Sequence, residues 1–131
     1  MTRFLLDTTA LIDFSKGREP AFSKIAQMIS LGNELGVCAV NIAEFYSGIP
    51  QDKYPVWNEF FASLRYWEIT RTAAQLAGQY RHEFAQNGKA ISTTDTLIAA
   101  VARENDATIV TDNVKDYPME DISLLALRNY P

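Results

Sequence analysis

Short apolar runs alternate with helical patterns along the whole of this 131-residue chain, and that alternation limits its fold more than any other feature. Phe4-Leu5-Leu6, Val37-Cys38-Ala39-Val40, Tyr66-Trp67-Glu68-Ile69, Thr108-Ile109-Val110-Thr111 and Leu124 to Leu127 have the length and makeup of buried strands. Between them, apolar residues recur at helical spacing. Ala10, Leu11 and Phe14 mark a short helix that stops near Gly17, and Phe22, Ile25, Ala26 and Ile29 mark another behind Pro20. Asn41 is placed to cap a helix from Ile42 to about Gly48, and Pro55 leads into one containing Val56, Phe60, Phe61 and Leu64. A long helix starts at Thr70, carries Ala73, Leu76, Ala77, Tyr80 and Phe84 on one face, and ends at Asn87-Gly88. Leu97, Ile98, Val101 and Ala102 lie on a last helix over 94–104. The pattern predicts one domain over residues 1–131, an α/β/α three-layer sandwich around a central, mainly parallel sheet of four to five strands.

Four acids stand where the chain leaves a strand or enters a helix. Asp7 ends the first apolar run, Glu44 follows the second by a short turn, Asp95 opens the 94–104 helix, and Asp116 comes just after the fourth run. They lie too far apart for one local motif. In a parallel α/β sheet, however, ligands bind outside the carboxyl ends of the strands, where successive crossovers converge. Carboxylates brought together there repel one another unless a cation joins them, and hard oxygen ligands suit Mg²⁺ or Mn²⁺. Such a site belongs to metal-dependent phosphodiester cleavage.

Each acid also has a structural reading. Asp7 fits an N-cap, Asn41-Ile42-Ala43-Glu44 and Ser92-Thr93-Thr94-Asp95 fit capping boxes, and Asp116 fits a solvated turn beside Asp112 and Asn113. That account leaves the apolar company of three of them unexplained. Asp7 follows Leu5-Leu6, Glu44 sits between Ala43 and Phe45, and Asp95 precedes Leu97-Ile98-Ala99-Ala100. Acids on buried elements are costly unless paired, hydrogen-bonded or metal-bound.

Charge and cysteine content narrow the class. The formal charge of −4 works against nonspecific nucleic-acid binding, but four of the sixteen acids are the candidate site itself. Lys16, Arg18, Lys89 and Lys115 fall in predicted loops and can form a local basic track. The lone Cys38 rules out an internal disulfide framework, and no segment reads as a signal peptide or a membrane span. A soluble cytoplasmic protein is expected. His82, the only histidine, lies off the apolar face of its helix, which excludes a histidine-pair ribonuclease mechanism.

Four ordered stretches resemble the PIN-domain ribonucleases, specifically the VapC-type toxins of VapBC toxin–antitoxin systems. They are Phe4-Leu5-Leu6-Asp7-Thr8-Thr9-Ala10-Leu11-Ile12, Asn41-Ile42-Ala43-Glu44-Phe45-Tyr46-Ser47-Gly48, Asp95-Thr96-Leu97-Ile98-Ala99-Ala100, and Val110-Thr111-Asp112-Asn113-Val114-Lys115-Asp116-Tyr117. The resemblance implies a PIN-like fold, with Asp7, Glu44, Asp95 and Asp116 as metal-binding and catalytic residues holding Mg²⁺, or Mn²⁺ in its place. It implies cleavage of RNA to 5′-phosphate and 3′-hydroxyl ends, a homodimer, and a cognate antitoxin whose C-terminal segment blocks the site. Thr8, Thr9 and Thr111 are candidates to orient these carboxylates. The chain departs from the family at Thr9, where many members have Asn. The fourth acid has alternatives, since some members place it in the slot held here by Asn113, and Asp112 is a further candidate. A catalytically silent PIN-like module that grips RNA or a partner is the alternative reading. Receiver domains and haloacid-dehalogenase phosphatases fit less well, because each needs a second acid near the first, where Leu6 and Thr9 stand.

Overall fold

The computed structural model describes residues 2–128. Its elements run β1 (Arg3–Leu6), α1 (Thr8–Ser15), α2 (Ala21–Ser30), β2 (Glu34–Val37), α3 (Ala39–Tyr46), α4 (Tyr54–Ala62), β3 (Arg65–Tyr66), α5 (Arg71–Gln86), α6 (Thr93–Glu104), β4 (Ala107–Thr111) and β5 (Ser123–Ala126). Single 3₁₀ turns cover Gln51–Lys53 and Val114–Asp116. The strands form one sheet in the order β3-β2-β1-β4-β5, and every pairing is parallel. This is the α/β/α sandwich around a parallel sheet expected from the sequence.

The sheet is buried on both faces, which is why its strands read as unbroken apolar runs. Leu5 and Ile109 point into one core with Trp67, Ala73, Ala77, Tyr80 and the buried stretch Ile98 to Ala102. Leu6 and Val110, their chain neighbours, point into the other with Leu11, Ile25, Val37 and Phe45. Helices α5 and α6 therefore cover one face, and α1 to α4 the other. The small side chains Ala99, Ala100 and Ala102 let α6 lie close against its surroundings. No described helix is long and apolar enough to cross a membrane.

Two strand boundaries differ from expectation. The second strand spans Glu34–Val37 rather than Val37–Val40, and the helix behind it begins at Ala39. Cys38 is the N-cap rather than a mid-strand residue, and Asn41 is the third residue of the helix rather than its cap. The Asn41 Oδ1 accepts the Cys38 N–H at 3.0 Å, closing a capping box in which a thiol replaces the usual hydroxyl. The third strand is only Arg65–Tyr66, not Tyr66 to Ile69. Trp67 still bonds to the Val37 carbonyl, but its indole turns onto the sheet and the chain then leaves the edge.

The indole lies directly over Gly36, so a Cβ at that position would overlap the ring. Trp67 is buried and Gly36 sits inside β2, so neither side has room to yield. Gly36→Ala should therefore destabilise the fold by about 1–3 kcal/mol, read as a lower urea midpoint with an unchanged slope. An unchanged midpoint would mean that the ring is free to move.

Candidate active site

The central strand β1 delivers Asp7 to the carboxyl edge of the sheet, between the ends of β2 and β4. Asp7 is the N-cap of α1, with Oδ1 accepting the Ala10 N–H at 2.8 Å. The Thr111 side chain at the end of β4 also hydrogen-bonds to it. Thr111 is fully buried, and its Oγ1 accepts the Asn113 N–H at 2.9 Å, which leaves its own proton for the Asp7 carboxylate. Only 3% of Asp7 is exposed.

The other acids arrive from three different elements. Glu44 projects from α3, and because Cys38 and Asn41 complete the capping box it is not drawn back to the helix end as the sequence suggested. It accepts the Thr8 hydroxyl at 2.6 Å instead. Asp95 lies in the first turn of α6, where Ser92 accepts its backbone N–H at 3.1 Å. Asp116 ends the 3₁₀ turn after β4. All four line one cleft of about 150 Å³, together with Thr8, Thr9, Ile98, Asn113 and Tyr117.

The remaining candidates separate cleanly. Asp112 turns away and pairs with Arg128 at 2.8 Å, outside the cleft. Asn113 faces the cleft, and its amide lies 3.5 Å from the Thr9 hydroxyl. His82 is exposed on α5 and takes no part. Lys16, Arg18, Lys89 and Lys115 are exposed, and none lines the cleft. Tyr117 closes the fourth stretch that resembles the family, where nothing marks it as a site residue.

Electrostatics identify this cleft as the chemically unusual place in the molecule. Among the described residues no Lys, Arg or His lines it and no ion pair reaches any of the four acids. Burial pushes the Asp7 carboxyl up to about 6, against the pull of its Thr111 and Ala10 hydrogen bonds and with help from the charges of Asp95 and Asp116. Burial also raises the Asp95 carboxyl, with Asp116 and Glu44 adding to the effect. A larger hollow of about 530 Å³ beside β2 and β3 has no such chemistry, since its one acid, Glu34, is bound by Arg3 at 2.9 Å and Arg65 at 3.1 Å.

An all-carboxylate donor set without basic neighbours fits a hard divalent cation. Among the described residues no three His, Cys, Asp or Glu side chains stand close enough together to hold a metal ion as they are placed, so the fit lies in the donor chemistry.

A parallel five-stranded sandwich with acids from the end of β1, from α3, from α6 and from the turn after β4 in one cleft defines a class of α/β folds that gather carboxylates at one edge of the sheet. The chain belongs to the PIN-domain family, whose model matches residues 4–116. It is 28% identical over 115 residues to Ribonuclease VapC19 of Mycobacterium tuberculosis, covering 88% of this chain and 92% of that one. It is 24% identical over 132 aligned positions to Ribonuclease VapC2 of Rickettsia felis, covering 97% of each. Its fold matches the VapBC2 structure from Rickettsia felis bound to a promoter DNA fragment, with a TM-score of 0.81 at 20% identity over 95% of this chain and 98% of that one. The structure of VapBC-1 from nontypeable Haemophilus influenzae matches with a TM-score of 0.82 at 19% identity, over 96% and 98% of the two chains.

The raised Asp7 carboxyl makes stability depend on pH in a definite direction. Its folded value of about 6 exceeds the ordinary 3.8, so the folded chain holds this proton more tightly than the unfolded chain. The contribution is present below about pH 4 and is lost as pH rises through 6. In EDTA at pH 7.5, Asp7→Asn should thus gain about 3 kcal/mol over wild type, and the gain should shrink toward pH 4. Equal urea midpoints at pH 7.5 would show that the buried charge costs the fold nothing.

Proposed function

We propose that this chain is a metal-dependent endoribonuclease and the toxin of a type II toxin–antitoxin pair. The observation that carries the reading is four carboxylates gathered in one cleft of a PIN fold, with no basic side chain among them. Its relatives carry the name ribonuclease VapC, which supports RNA as the substrate.

Asp7, Glu44 and Asp95 would hold Mg²⁺, or Mn²⁺ as a substitute, with Asp116 completing the set. When bound, such an ion lowers the pKa of an attacking water and offsets charge developing on the scissile phosphate. The protein's own groups do the positioning. Thr8 fixes Glu44, Thr111 fixes Asp7, and Thr9 with Asn113 presents neutral donors at the cleft wall. A neutral donor meets a phosphate oxygen without displacing a cation, which a lysine there would oppose. Glu44 or Asp116 takes the proton of the attacking water. The expected products carry 5′-phosphate and 3′-hydroxyl ends.

The partner implied is an antitoxin, as in the VapBC complexes whose toxin fold this chain shares. Phe14 of α1 stacks on Phe22 of α2 and on Phe60 of α4, leaving Phe22 44% exposed. Val56 of α4 is 62% exposed. An apolar seam of this kind accepts the apolar face of an amphipathic helix. The same reading implies a homodimer working in the cytoplasm.

Incubation of antitoxin-free protein with a pool of structured RNAs tests the proposal. Wild type should cut with Mg²⁺ or Mn²⁺ and stop in EDTA, while Asp7→Asn and Asp116→Asn should each lose about 100-fold or more. Asp112→Asn should keep most of the activity, because its carboxylate is engaged with Arg128. Folded wild-type protein that cuts no RNA with either metal would instead be the silent RNA- or partner-binding module.

A further inference from the structure

Among the described residues Tyr117 is the one aromatic side chain lining the carboxylate cleft. Only 3% of it is exposed, and its ring belongs to the core that holds Ile98, Tyr80 and Met119. The hydroxyl is therefore carried on an anchored ring at the cleft wall. There it hydrogen-bonds to the Asp95 carboxylate, whose other side-chain partner is Ser92. A buried tyrosine hydroxyl normally finds such a partner.

We infer that Tyr117 is a positioning residue of this site, its hydroxyl holding the Asp95 carboxylate turned into the cleft for a divalent ion. The role rests on the metal-centre reading above. A phenol is protonated at neutral pH, so this hydroxyl can donate to a carboxylate. A neutral donor is the useful choice here. It restrains one oxygen of Asp95 against repulsion from Asp116 and Glu44 but leaves the negative charge in place. A lysine in the same place would restrain Asp95 equally well and compete with the ion. Partners of this kind orient ligands and tune affinity without touching the metal.

Tyr117→Phe removes the hydroxyl and keeps the ring. Tyr80→Phe is the matched control, because Tyr80 is 5% exposed and donates to Asp121 at 2.8 Å outside the cleft. Mn²⁺ dissociation constants are measured by calorimetry on RNA-free protein, beside thermal unfolding in EDTA. Tyr117→Phe should weaken Mn²⁺ binding by about tenfold or more, and its cleavage should recover as Mn²⁺ is raised. Tyr80→Phe should leave the Mn²⁺ constant unchanged. In an Asp95→Asn background the Tyr117 change should weaken binding little further, since both act through one carboxylate. Unchanged Mn²⁺ affinity in Tyr117→Phe, or fully additive losses, would overturn the positioning role and leave the metal centre standing. Wild type that binds no Mn²⁺ would remove the metal centre and this role together.

Discussion

A carboxylate buried at the end of the central strand organises this molecule. Asp7 sits where β1 stops, and the strands beside it are β2 and β4, so the segments leaving those strands are the ones that surround it. The α3 helix brings Glu44 from one side, and the turn after β4 brings Asn113 and Asp116 from the other. Burying a charge there is expensive, as its raised carboxyl records. The fold does not minimise that expense with an arginine or lysine. It supplies only hydrogen bonds, from Ala10 and Thr111, which restrain the group without neutralising it. A site evolved only for stability would do the reverse.

The cleft lies at the seam between the two cores, so its walls are anchored in packed side chains although it is polar. Asp7 is attached to α1, whose Ala10 and Leu11 belong to one core, and Glu44 is followed by the fully packed Phe45 of the same core. Asp95 precedes the buried run of α6, and Tyr117 is itself part of the opposite core. Each functional group thus stands within a few residues of a side chain that cannot move without opening a cavity. Small shifts in packing on either face of the sheet would be felt at the site.

Much of this was legible because parallel strands and amphipathic helices leave strong patterns. The five strands, the helices over 70–87 and 94–104, and the four acids in one place follow from apolar runs and from where ligands gather on such sheets. The failures have physical causes. Val37-Cys38-Ala39-Val40 is apolar throughout, and periodicity cannot tell a short buried strand from a buried helix start. Nothing local says that a thiol will serve as the cap with Asn41 as its return partner. Tyr66 to Ile69 has strand composition, but the Trp67 side chain is spent covering Gly36, a contact between distant residues. The sequence favours Asp116 over Asp112 but hides what occupies Asp112, because its arginine lies beyond β5. Tyr117 left no signal of its own, since a buried phenol beside acids is indistinguishable in sequence from ordinary core.

The structure also resolves a tension that the sequence could only state, between acids as helix caps and acids as ligands. The two roles compete only if they need the same oxygens. At α3 the capping is done by Cys38 and Asn41, which frees Glu44 to take the Thr8 hydroxyl. At α6 it is done by Ser92, which accepts the Asp95 N–H and leaves that carboxylate facing the cleft. At the turn after β4 the Asp116 N–H goes to the Asn113 carbonyl, a backbone contact that asks nothing of the side chain. Only Asp7 serves both purposes, and its Oδ1 caps Ala10 while a second oxygen remains. Three of the four acids are relieved of structural duty by a neighbour that performs it. That substitution of small polar residues for acids at the caps is what keeps the negative charge available in the cleft.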